Sequence, residues 1–71
     1  MENPPLYWES TFEIVLSLMQ SYPAVSLEEL GRSQLLKWIV DLPGFADDPD
    51  LVSAEMLDEI LRVWYEETHN P

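Results

Sequence analysis

Along the 71 residues, apolar positions recur at helical spacing in three stretches. Ile14, Val15, Leu18, Met19 and Tyr22 form a broad face in the first. Leu35, Trp38, Ile39 and Leu42 fall at i, i+3, i+4 and i+7 in the second. In the third, Met56, Leu57, Ile60, Leu61, Val63 and Trp64 make a wide stripe opposite Glu55, Asp58, Glu59, Arg62, Glu66 and Glu67. Between the second and third, Pro43-Gly44 breaks the pattern and Phe45 supplies one ring. Asp47, Asp48 and Asp50 then make an acidic turn. Trp38, Phe45 and Trp64 are assigned to the core on the burial preference of aromatics. No strand pattern stands out, although a short extended pairing near Tyr7 or Val25 stays open.

The polar residues between these stretches mark where helices begin and end. Ser10 with Glu13, and Ser26 with Glu29, read as capping boxes, in which a hydroxyl accepts an amide and the Glu reaches back. Pro23 stops the first helix, because the residue before proline is pushed out of the α region. A very short helix at Leu27–Leu30 ends at Gly31 as its C′ residue. Ser33 is expected to cap a helix from Gln34 to Leu42, and Ser53 one from Ala54 to about Glu67. The division expected is an extended lead-in over 1–7, one helical domain over 8–68 and a frayed tail over 69–71. Trp8 ties the lead-in to the core. Helix, tight turn, helix is the outline of a helix-turn-helix. The fold class is all-α.

Composition sharpens this outline. A chain this short folds as one domain on a marginal core. It has no cysteine for a disulfide or thiolate site, and three Trp, three Tyr and two Phe stand in for such a staple. Fourteen Asp and Glu against three Lys and Arg give a formal net charge of −11. That charge disfavours nucleic acid and anionic membrane, which demand cationic side chains. It favours cations or a basic protein surface. Without a basic leader or an apolar run long enough to span a bilayer, a cytosolic monomer is expected.

Enzyme chemistry has little to stand on, since the one histidine, His69, lies near the end and no phosphate loop exists. Acid–base catalysis by paired carboxylates requires an apolar pocket to separate their pKa values, which nothing in the pattern suggests. Carboxylates without cysteine select hard cations held by oxygen. The calcium loop fails: counted from Asp48, Asp50 and Glu59 fit positions 3 and 12. Val52 and Ser53, however, occupy positions 5 and 6. The better candidate is a docking face. Asp47 and Asp48 sit in a turn stiffened by Pro49 and anchored by Phe45, held ready for a fork of arginines. Glu13, Asp50, Glu55, Asp58 and Glu59 extend the same negative field, which steers association.

The residues also resemble a known family. Trp8, Glu13-Ile14, Leu18, Tyr22-Pro23, Trp38-Ile39, Asp41-Leu42, Phe45, Asp47-Asp48-Pro49, Leu57, Ile60-Leu61 and Val63-Trp64 are similar, in order and spacing, to the IscX (YfhJ) family. This is a family of small acidic accessory proteins of iron–sulfur cluster assembly. The resemblance runs from Trp8 to Glu67 without a gap. It implies a winged-helix-like fold with a reduced wing, binding to the cysteine desulfurase of the pathway, and weak iron binding through exposed carboxylates. Of the acids typical of the family, Glu13, Asp41, Asp47, Asp48 and Glu67 are matched, and these are the implied metal ligands. Ser10, Ala24, Ser26 and Gln34 stand where the family carries acids, and Leu30 to Gln34 departs from its usual run. The expected function is therefore a non-enzymatic adaptor or regulator of cluster assembly. The alternative is an acidic interaction module for another basic partner, without an iron role.

Overall fold

The computed structural model describes residues 5–69. Three α-helices follow one another: α1 (Thr11–Ser21), α2 (Arg32–Val40) and α3 (Ala54–His69). Single 3-10 turns at Leu27–Glu29 and Pro49–Leu51 sit in the two connections. Among the described residues no strand is formed. The all-α class holds. The winged-helix comparison finds no sheet to support it, only one parallel bridge between Leu6 and Phe45.

The periodic apolar positions meet in one core. α1 contributes Ile14, Val15 and Leu18, α2 contributes Leu35 and Ile39, and α3 contributes Leu57, Ile60 and Trp64. α3 packs most extensively on α1 and less on α2. Leu6, Trp8 and Leu42 complete the core from outside the helices. Leu6, expected in the lead-in, is buried because its backbone is held on both sides. Its N–H donates to the Gly44 carbonyl and its own carbonyl accepts from Ala46 N–H, both at 2.9 Å. Residues 1–4 of the expected lead-in lie outside the described residues. Gly44 makes the turn that presents this edge, at φ 89°, where a Cβ would be strained.

Trp38 departs from expectation. Leu35 and Ile39, one turn apart, take the centre of the buried face of α2, which leaves Trp38 at its margin, partly exposed. There it lies flat against Tyr22, ring centroids 3.9 Å apart at 8°. Phe45 is likewise only partly buried, whereas Trp8 is the tryptophan that joins Trp64 inside.

Of the four predicted serine caps, one forms. Ser53 Oγ accepts from Met56 N–H at 3.2 Å. Ser10 does precede α1, but its ψ of 54° lies outside the extended region that aims a hydroxyl at the first turn, and its side chain makes no cap. Ser26 makes none either. The Glu29 N–H is taken instead by the Ser26 carbonyl at 3.2 Å. Ser33 lies inside α2, which begins at Arg32 after Gly31 as N-cap and ends at Val40. Gly31 adopts φ −83°, so it is neither a left-handed helix stop nor required by its backbone. Ahead of Pro43, the last turn of α2 tightens, with Leu42 N–H donating to the Ile39 carbonyl at 3.1 Å. At the far end, His69 is still helical, its ring stacked on Tyr65 at 4.0 Å. Residues 70–71 of the expected tail are outside the described residues.

Candidate functional site

The acidic turn is clasped to Trp8. Asp47 directs one carboxylate oxygen to the Trp8 N–H at 3.0 Å and the other to the Asp48 N–H at 2.7 Å. Asp48 Oδ1 accepts from the Asp50 N–H at 2.9 Å, capping the 3-10 turn that Pro49 starts. The Trp8 indole N–H donates to the Asp48 carbonyl at 2.8 Å, and its ring meets Phe45 edge-on at 5.0 Å. Both carboxylates are thus fixed as the sequence suggested, but by accepting backbone N–H groups. Asp47 is part of the fold before it is part of any surface.

Beside this clasp lies a hollow of about 370 Å³ between the starts of α1 and α3. Trp8, Thr11, Ser53 and Met56 form its walls, and Glu9, Glu55 and Glu59 surround it. Glu55 belongs to the first turn of α3, where the helix dipole favours an anion. Glu9 was not singled out from the sequence. Its position next to the buried Trp8 is the one feature that marked it, because an exposed residue beside a fixed one is itself well placed. Glu13 stands exposed in the first turn of α1 and Asp50 exposed in the turn.

Other predicted docking acids sit in a different electrostatic setting. Arg32 binds Asp58 through two parallel bonds, Nε to Oδ1 at 2.9 Å and Nη2 to Oδ2 at 2.7 Å. Arg62 bridges Glu59 and Glu66 on its own helix. The hydrogen bond from Arg32 holds the Asp58 carboxyl below its ordinary range; desolvation opposes this and the nearby positive charge adds to it. Arg32 is raised in turn, first by that hydrogen bond, and Arg62 first by its bond to Glu59. Among the described residues, no ion pair reaches Glu9, Glu13, Asp41, Asp47, Asp48, Asp50 or Glu55. Around the hollow, Glu9 and Glu55 are therefore uncompensated, whereas Glu59 shares Arg62 with Glu66.

The five expected metal ligands do not converge. Glu13 lies in α1, Asp41 caps the C-terminus of α2, Asp47 and Asp48 form the turn, and Glu67 lies near the end of α3. Among the described residues, no three His, Asp or Glu side chains stand close enough to share a cation. Chelation needs several donors within reach of one point, so these five residues do not form one chelating site. Nor is any helix of the described residues long and apolar enough to cross a membrane.

Comparison with known proteins agrees with the motif spacing. An uncharacterized protein of Pseudomonas aeruginosa is 36% identical over 62 residues, covering 87% of this chain and 94% of that protein. The iron–sulphur cluster assembly family matches residues 6–69, which takes in the core, the Trp8 clasp and the hollow together. The chain belongs to the iron–sulphur cluster assembly family, that of IscX.

Proposed function

We propose that the chain is a non-enzymatic accessory protein that docks on the cysteine desulfurase of the assembly pathway through the acidic hollow at Trp8. The observation that carries this reading is the unequal distribution of cations. Both arginines are engaged at Asp58, Glu59 and Glu66, which leaves Glu9, Asp50 and Glu55 to present their charge outward. Trp8 and the turn make that presentation rigid, which lowers the ordering cost of meeting a basic surface. Glu13, Asp47 and Asp48 add to the field that steers encounter. Asp58 and Glu59 contribute less than their sequence positions suggest, because an arginine faces each. In this reading iron associates with the face as a screening cation, one carboxylate at a time, and competes with the partner's arginines.

Calorimetric titration of a cysteine desulfurase tests this, with wild type, a Glu9→Lys/Glu55→Lys double variant and Glu28→Lys as a control on the other flank of α3. The double variant is expected to bind about tenfold or more weakly, a loss of roughly 1.4 kcal/mol. Raising salt weakens the wild-type complex, and ferrous iron does the same. Undiminished binding by the double variant, or binding indifferent to salt, overturns the assignment.

A further inference from the structure

A second concavity lies on the opposite flank of α3. Its volume is about 530 Å³, and its floor is apolar, formed by Leu27 from the first 3-10 turn with Leu61 and Tyr65 from α3. Tyr65 is 45% exposed even with the His69 ring stacked on one face, in a chain that buries Trp8 and Trp64 almost completely. The two walls carry acids from different elements, Glu28 on the 3-10 turn and Glu66 on α3. Beyond Tyr65 a smaller hollow continues between the same Leu27 and Glu28 on one side and Thr68 and His69 on the other. From Leu61 to Thr68 the groove follows α3 for about 10 Å, at 1.5 Å per residue.

The charges on this groove identify its occupant. Arg62 is divided between Glu59 and Glu66, and Asp58 is matched by Arg32, while no ion pair among the described residues reaches Glu28. The residual charge of the rim is negative. A second copy of this chain is a poor occupant, because each molecule carries a formal charge of −11. No segment of the chain itself combines apolar residues with several cations, since Arg32, Lys37 and Arg62 are its whole basic complement. We propose that the groove is a second protein-docking site, which takes a basic amphipathic helix from a partner. Two apolar side chains one turn apart enter beside Tyr65, and a flanking Lys or Arg meets Glu28. Two turns of helix match the length of the floor, and this is the usual geometry of a helix laid in a groove. The site shares no wall with the hollow at Trp8, so the chain can hold two basic partners on opposite flanks of one helix.

The test uses a fluorescein-labelled 18-residue peptide of Leu and Lys with Leu at helical spacing. A scrambled peptide of the same composition without the stripe is its control. Fluorescence anisotropy at physiological salt gives affinities, and amide NMR spectra of the labelled chain give the location. The striped peptide is expected to bind about tenfold or more tightly than the scramble. Its shifts should gather at Leu27, Glu28, Leu61, Tyr65 and Thr68. Tyr65→Ala and Glu28→Lys, both at exposed positions and checked for native spectra, each weaken it about fivefold or more. Glu9→Lys/Glu55→Lys leaves it within about twofold. Equal binding of the scramble, shifts spread over every acidic face, or equal loss in the Glu9/Glu55 variant overturns the proposal. So does a dimer of the chain alone that Tyr65→Ala dissolves.

Discussion

The turn at Asp47–Asp50 and the outer face of α3 are both rich in acid, and they use it differently. In the turn, both carboxylates accept backbone N–H groups: Asp47 ties the turn to Trp8, and Asp48 caps the turn itself at Asp50. On α3, Asp58, Glu59 and Glu66 face arginines in water. The same residue type is a structural acceptor in one place and a screened charge in the other. Partners therefore meet a field set less by the count of carboxylates than by which of them the fold has already engaged. At the Trp8 end, Glu9, Glu13, Asp50 and Glu55 remain to face outward.

The largest effect that separates the two regions is expected at Trp8, the wall common to clasp and hollow. Trp8→Ala removes a buried indole and should cost about 3–5 kcal/mol, close to the whole stability of so small a domain. Thermal or urea unfolding followed by far-UV circular dichroism reads this out. A variant that still melts cooperatively near the wild-type temperature would show that the clasp is peripheral.

Asp47→Ala comes next. It strips the acceptor from the partly buried Trp8 N–H, and an unsatisfied donor of that kind costs about 1–3 kcal/mol. Asp50→Ala, whose side chain makes no bond among those described, should be nearly silent in the same urea melts. Equal losses at the two positions would erase the distinction between structural and outward acids.

A smaller effect is expected where charge meets charge in water. Because the Asp58 carboxyl is depressed in the folded protein, its stabilisation is present above its unfolded pKa. It is lost as pH falls through the lower folded value. Arg32→Gln should therefore lower the melting temperature slightly at neutral pH, and the two curves should converge in acid, once pH has fallen below the depressed Asp58 value. A gap that persists in acid would mean that Arg32 stabilises by packing rather than by its pair.

These contrasts also show what was legible from residues alone. The three helices and most of the core followed from spacing, because burial of one face is what a helical repeat records. Ser53 capped as predicted, while Ser10, Ser26 and Ser33 did not, since capping depends on one ψ angle and one residue of register that composition leaves open. Trp38 was misplaced for a related reason. Periodicity names a face, and two β- or γ-branched residues had already filled the middle of it. The acids of the site were visible as acids. Which of them would be engaged by Trp8, Arg32 and Arg62 depended on contacts between residues far apart in the chain, as with Trp8 and Asp47. The smallest effect sharpens this point. Gly31 precedes α2 in an extended conformation, with open space where a side chain would stand. Gly31→Ser should add a cap and restrict the unfolded chain, for a gain of about 0.5 kcal/mol in urea unfolding. A loss would mean that the glycine has a role its backbone does not reveal.

The most direct test of the docking assignment is to add unlabelled cysteine desulfurase to the ¹⁵N-labelled chain and follow each backbone amide. The account predicts that signals of Glu9, Thr11, Ser53, Glu55 and Met56 broaden or shift first, and that added salt reverses the change. Perturbation confined to Leu27, Glu28, Leu61 and Tyr65, with the Trp8 end untouched, would contradict it.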